Sequence, residues 1–234
     1  MNTIYLVRHG ENPANLTREF SHRRVDYPLT EKGVLQAQQT GAYLRDVGID
    51  ALYSSPLKRA AQTAAIVGEA LGLPVTELEQ LREVNVGRLE DEPPSEENWE
   101  LHDRIVAAWR AGWHTVSFPG GEDYVSLLAR MRSALRQALA EREAQRIVLV
   151  GHGGIFTATL KDICRLVAGD DPIYWNSHNC SITEIRMDTV GTIDGTLGIE
   201  EVNVSVRGEL VRFADCAHLT GEATPQVRVR PGRM

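Results

Sequence analysis

Two short apolar runs in this chain end alike, in a histidine followed by a glycine. One gives Val7-Arg8-His9-Gly10-Glu11 and the other Val150-Gly151-His152-Gly153-Gly154. Apolar runs of this length suit buried strands, and open α/β sheets bind ligands beyond the carboxyl ends of their strands. The matching ends therefore predict that the two imidazoles meet at one sheet edge. Glycine after each histidine lets backbone approach a ligand closely, and a helix starting there would offer free N–H groups to an anion. A third stretch, Ser54-Ser55-Pro56-Leu57-Lys58-Arg59-Ala60-Ala61-Gln62-Thr63-Ala64, places Arg59 in the first turn of a helix that follows another short strand. A guanidinium grips phosphate through two parallel hydrogen bonds, which a lysine cannot. Taken singly, an Arg-His-Gly triplet is more often scaffold than site. Arg8, His9, Arg59 and His152 together are a costly concentration of positive charge unless an anion sits among them.

The elements that must position these groups read as α/β. The first two-thirds alternates β-rich runs with helical patterns, which predicts a three-layer sandwich with a mostly parallel central sheet and helices on both faces. After the strand Ile4–Val7, Asn12-Pro13 reads as a helix cap and first residue. Thr30 opens a second helix, with Val34, Ala37, Gly41 and Leu44 on one face. Ala51-Leu52-Tyr53 is a strand. Ser55 is expected to cap the next helix, with Pro56 first inside it and Gly72 ending it. A long helix spans roughly Tyr124 to Glu143, with Leu127, Leu128, Met131, Leu135 and Leu139 inward. The strand Ile147–Val150 then runs into a helix ending near Gly169. Ser181–Met187, Thr196–Val206 and Glu209–Ala214 read as strands, with Arg207-Gly208 a hairpin turn, and Gln226–Met234 as a frayed tail.

At 234 residues, 42% hydrophobic and 24% charged, the chain suits one domain around one core. Two departures from the pattern are expected: a cap insertion at about 90–118, carrying Trp99, Trp109 and Trp113, and a strand-rich C-terminal extension at about 181–234. The aromatics more plausibly pack the insertion onto the body than stack on a ligand. A net charge of −7 argues against nucleic acid or an anionic membrane as partner. The start lacks a basic region and a long apolar run, and no segment reaches membrane-spanning length. Cys164, Cys180 and Cys216 form neither a disulfide framework nor a CxxC pair, which fits a reducing cytoplasm. No His/Cys/Asp cluster has metal-ligand spacing, so neither metal nor cofactor is expected. The C-terminal strands leave a homodimer open.

Several motifs in order complete the reading. Arg8-His9-Gly10-Glu11 followed by Asn15, Pro28-Leu29-Thr30-Glu31-Lys32-Gly33, Ser54–Ala64, Leu81-Arg82-Glu83, Pro119-Gly120-Gly121-Glu122 and Val150–Gly154 resemble the signatures of the histidine phosphatase superfamily, the phosphoglycerate mutase-like fold. The resemblance spans roughly residues 1–185. It implies that His9 is the nucleophile, becoming a phosphohistidine, and that Arg8, Asn15, Arg59, His152 and Gly153 form the phosphate pocket. It further implies that Glu83 is the general acid and base, and that the substrate is a small phosphorylated metabolite. Nucleophilic histidine needs a neutral ring nitrogen, so its other nitrogen should donate to a backbone carbonyl.

Within that family the mutases follow the acid glutamate with Arg-His-Tyr-Gly, whereas this chain has Glu83-Val84-Asn85-Val86-Gly87. They also carry Gly-Trp where this chain has Phe20-Ser21-His22-Arg23-Arg24. Both departures favour a metal-independent phosphomonoesterase over a cofactor-dependent mutase. A non-catalytic phosphate-binding scaffold is the remaining alternative, disfavoured because both histidines are present. His22, Arg23 and Arg24 are read as a solvated loop sooner than as a specificity element, and His218 as structural.

Overall fold

The computed structural model describes residues 1–165, 177–187 and 208–225. Its element order is β1 (Asn2–Arg8), α1 (Pro13–Thr17), α2 (Glu31–Arg45), β2 (Ala51–Ser54), α3 (Lys58–Leu71), β3 (Val75–Glu77), α4 (Glu96–Arg110), α5 (Tyr124–Leu139), β4 (Arg146–Gly151), α6 (Gly153–Ile163), β5 (Cys164–Arg165), β6 (Ile182–Met187) and β7 (Gly208–Asp215). The sheet runs β3-β2-β4-β1-β6-β7-β5. Strand pairs are parallel except β1 with β6 and β6 with β7.

Alternation along the central strands divides the core into two. Ile4 and Leu6 of β1, with Ile147 and Leu149 of β4, pack with Leu127, Met131 and Leu135 of α5 and Ile155 and Leu160 of α6. Tyr5, Val7, Val148 and Val150 face the other way, onto Leu44 of α2 and Ala60, Ala64 and Val67 of α3. Helices thus cover both faces of a mostly parallel sheet, the expected sandwich.

The caps follow from local chemistry. Asn12 closes a reciprocal capping box with Asn15, with Pro13 first inside α1. Thr30 Oγ1 accepts from Gly33 N to start α2, and Gly72 ends α3 in the left-handed region at φ 68. Two glycines are fixed by contact. Gly10 and Gly33 meet back to back: a Cβ on Gly33 would lie 2.1 Å from Glu11 O, and one on Gly10 2.5 Å from Gly33 O. The segment after His9 is therefore seated directly on the first turn of α2.

Some expectations are corrected. Leu57 precedes α3 and Lys58 opens it, so Ser55 is not its cap; the Ser55 hydroxyl is engaged elsewhere. The long helix stops at Leu139 instead of Glu143, and Glu141 takes a positive φ of 58. α6 ends at Ile163, well before Gly169, because Cys164 and Arg165 leave it to pair with β7. Gly208 is the first residue of β7 and not a turn; a Cβ there would lie 2.4 Å from Ile185 Cγ2. The expected strand Thr196–Val206, Arg207 and the tail Gln226–Met234 lie outside the described residues.

In α4, Trp109 is buried edge-on to Phe118 and beside Tyr124. Trp99 stacks within 4.3 Å of Phe20 and donates to Arg18 O. Both pack the element onto the body, whereas Trp113 is 68% exposed. His218 stacks on Tyr43 and bonds Thr40 Oγ1, a structural place.

Gly33→Ala tests the seating of the segment after His9. The added methyl has backbone in its way and no flexible neighbour to displace, so chemical denaturation should show a loss of about 1–3 kcal/mol.

Candidate active site

Register alone brings the two histidines together. β1 and β4 pair in parallel with Val7 opposite Val150 and Arg8 opposite Gly151, so His9 and His152 leave adjacent strands at the same height. Their ring centroids are 5.2 Å apart. Both rings are buried, His152 completely. His9 Nδ1 lies 2.7 Å from Gly10 O, so it carries the hydrogen and donates to that carbonyl. Nε2 is left with its lone pair, and Arg59 Nε donates to it at 3.1 Å.

Arg59 is 2% exposed although charged. Nη1 donates to Ser21 Oγ at 2.8 Å and Nη2 to Ser21 O at 2.7 Å. Burial, opposed chiefly by the Glu83 charge, brings its pKa down to about 10. Arg8 Nη1 donates to Ser177 O, while its Nε is buried without a hydrogen-bond partner among the described residues. A Cβ on Gly153 would touch the Arg8 side chain at 3.4 Å, so Gly153 lies against that guanidinium.

His152 Nε2 is 2.8 Å from Ser55 Oγ. That hydroxyl already accepts from Leu57 N, so it is satisfied by giving its proton to Nε2, which puts the ring hydrogen on Nδ1. Nδ1, like Arg8 Nε, is buried with no hydrogen-bond partner among the described residues. Buried groups in this condition are uncommon and costly, and two of them beside His9 suit an oxyanion.

Glu83 sits at the start of α6. Oε1 accepts from Ile155 N at 2.8 Å and Val84 N at 2.9 Å, and Oε2 accepts from Gly154 N at 3.0 Å. A Cβ on Gly154 would lie 2.5 Å from Glu83 Oε1, so a side chain there would push the carboxylate aside. At the amino end of α6 the chain's own carboxylate thus occupies Gly154 N and Ile155 N, and at the start of α3 Lys58 N donates to Asp26 Oδ1.

Asn15 Oδ1 is used by Asn12 N and by Asn179 Nδ2. The His22–Arg24 loop is split in its roles. His22 Nδ1 bonds Glu83 O at 2.8 Å, Arg24 pairs with Asp91 at the surface, and Arg23 is exposed.

Sequence reasoning missed several supports. Ser55 was visible only as a cap, and Thr63, which receives Gly10 N and bonds Arg59 O, sits one turn beyond Arg59 in the same motif. Asn179 Nδ2 bonds His9 O, with no pattern to announce it. Arg130, on α5, donates to the carbonyls of Gln80, Arg82 and Glu83 and pairs with Glu122; that pair splints the Glu83 loop. Among the described residues no group of His, Cys, Asp or Glu could hold a metal ion.

A parallel sheet that ends in two facing imidazoles and buried guanidiniums defines a phosphoryl-handling α/β protein. The chain belongs to the histidine phosphatase superfamily (branch 1), whose family model matches residues 4–193. It is 32% identical over 172 residues to a Bacillus subtilis (strain 168) protein named "Uncharacterized phosphatase PhoE", covering 74% of this chain and 80% of that one. It is 36% identical over 186 residues to the Proteus mirabilis (strain HI4320) protein named "Probable phosphoglycerate mutase GpmB", covering 78% and 83%. Among solved structures it resembles Bacillus stearothermophilus YhfR, with a TM-score of 0.70 and 25% identity across 93% of this chain and 99% of that one. A mycobacterial glucosyl-3-phosphoglycerate phosphatase matches with a TM-score of 0.63 and 25% identity, covering 80% and 91%.

Burial, then Arg59 and Arg8, holds His9 well below the usual histidine value. Burial, then Arg59 and His9, does the same for His152. The unfolded chain would therefore bind protons that the folded one refuses once pH drops below about 6.5. Melting temperature should fall between about pH 7 and pH 5, and fall less steeply for His152→Asn, as differential scanning calorimetry across that range would show.

Proposed function

We propose that this protein is a phosphomonoesterase acting on a small phosphorylated metabolite through a phosphohistidine on His9. The supporting observation is a nitrogen lone pair, His9 Nε2, in a site where two buried nitrogens, Arg8 Nε and His152 Nδ1, have no hydrogen-bond partner among the described residues. An incoming phosphoryl group would draw Arg59 Nε–H onto one of its oxygens and expose Nε2 to phosphorus. The N–P bond forms as the ester P–O bond breaks. Arg8, Arg59 and His152 neutralise the equatorial oxygens as charge shifts onto them. The leaving alkoxide takes a proton from Glu83, acting as general acid. Glu83 then takes a proton from water, the resulting hydroxide attacks phosphorus, and the N–P bond breaks. Phosphate leaves with His9 and Glu83 restored. Positive side chains supply the electrostatic stabilisation, so no metal step is invoked. Residues about 90–118, which include α4, would form the lid that limits substrate size. No helix among the described residues is long and apolar enough to cross a membrane.

A mutase reading draws support from the name of the Proteus relative. Against it stands the stretch after Glu83. Val84 and Val86 are buried in the core, and Asn85 Oδ1 is committed to Gly87 N. Residues 84–87 themselves carry no cationic side chain to grip a second charged group.

With p-nitrophenyl phosphate in EDTA, the parent should turn over and His9→Ala should not. Activity that persists in His9→Ala, or a parent inactive across a panel of phosphomonoesters yet able to bind phosphate, would refute the hydrolase. Supplied with 3-phosphoglycerate and 2,3-bisphosphoglycerate, the parent should release inorganic phosphate without accumulating 2-phosphoglycerate, read by phosphorus NMR. Rapid 2-phosphoglycerate formation would favour the mutase.

A further inference from the structure

One carboxylate outside the pocket organises the loop that frames Arg59. Glu90 closes a short 3-10 turn, Gly87–Glu90. Its Oε1 accepts four consecutive backbone N–H groups, from His22 at 2.9 Å, Arg23 at 2.7 Å, Arg24 at 2.8 Å and Val25 at 3.0 Å. Successive amides converging on one oxygen form a nest, an arrangement that prefers an anion. The loop so wrapped is the one that holds Arg59. Ser21 Oγ donates to Val25 O, closing the loop on itself, and accepts from Arg59 Nη1, while Ser21 O accepts from Nη2. Asp26, next in the chain, stands 4.0 Å from Nη1. Both outer nitrogens of the guanidinium are thereby tied to the loop, and Nε is aimed at His9 Nε2.

We propose that Glu90 is a positioning residue for phosphate capture. Its charge holds residues 22–25 in their fold, Ser21 transmits that fold to Arg59, and Arg59 presents its donors to the phosphoryl group. This rests on the reading of Arg59 as a phosphate ligand. Without Glu90, four N–H groups lose their common acceptor, the loop relaxes toward water, and Arg59 keeps its charge while losing its frame. A displacement of about 1 Å in such a group can lower turnover about a hundredfold. A capping glutamate that merely stabilised a surface loop would shift melting temperature and leave phosphate affinity and turnover alone.

The experiment is a double-mutant cycle on the full chain with Glu90→Ala, Arg59→Ala and the pair, alongside Glu90→Gln. Inorganic phosphate affinity is read by calorimetry, and kcat/KM with p-nitrophenyl phosphate. Glu90→Ala should weaken phosphate binding about tenfold and cut kcat/KM up to about a hundredfold, the scale of a misplaced ligand. Glu90→Gln, which keeps an acceptor oxygen, should recover part of both. In the Arg59→Ala background the Glu90→Ala change should add little, because its effect passes through the residue already removed. If Glu90→Ala fails to fold, the Gln variant carries the same comparison. Phosphate affinity and kcat/KM within about twofold of the parent in a folded Glu90 variant, or effects that add in full to those of Arg59→Ala, overturn the proposal. A parent that neither binds phosphate nor turns over overturns the phosphoesterase reading, and this proposal with it. An active, phosphate-binding parent with neutral Glu90 variants overturns this proposal alone.

Discussion

The chain's chemistry depends on how two apolar strands lie beside each other. β1 and β4 are neighbours in parallel register, Val7 against Val150, and both are buried on each face by helices. Because the strands point the same way, the residues just past their ends emerge on one edge. That edge holds two imidazoles, with the guanidiniums of Arg8, from the end of β1, and Arg59, from the first turn of α3, beside them. An antiparallel arrangement of the same pair would send His9 and His152 to opposite ends of the sheet. The hydrophobic effect thus fixes a polar geometry: burial of valine and leucine sets the distance between the two rings.

Keeping such a cluster positive inside an acidic chain takes counter-charges that stabilise the arginines without entering the space between them. The structure distributes these around the rim. Glu83 lies on the amide groups of α6, Asp26 on those of α3, and Glu90 on the loop amides of residues 22–25. Each acid accepts backbone N–H bonds at the rim, and its field reaches the guanidiniums. Arg59 stays buried and cationic under opposing influences, burial against nearby carboxylates.

Much of this was legible before any coordinates. Strand endings at His9 and His152 predicted one shared edge because parallel topology and apolar runs are written locally. Asn12-Pro13, Thr30 and Gly72 carry cap chemistry that needs no tertiary context. The failures share a cause. Ser55 looked like a helix cap because serine before proline usually is one; its hydroxyl went instead to His152, a partner 97 positions away. α6 stopped at Ile163 because β7 offered Cys164 a strand partner, a long-range bond with no local signature. Asn179 and Arg130 act on backbone atoms of distant loops, and a backbone carbonyl has no residue type to recognise. The open ends of the helices were expected to receive substrate, since nothing in the sequence said which carboxylates would reach them first.

The tether between His9 Nδ1 and the carbonyl of its own neighbour, Gly10, has a chemical corollary. An imidazole can be substituted at either ring nitrogen, yielding two isomers of different hydrolytic stability. Here the nitrogen nearer the side-chain stem is committed to a main-chain acceptor one residue away, and the ring is too enclosed to turn over. On the proposed pathway only the isomer joined through the remote nitrogen can arise, so the regiochemistry of the adduct is settled by a single peptide oxygen.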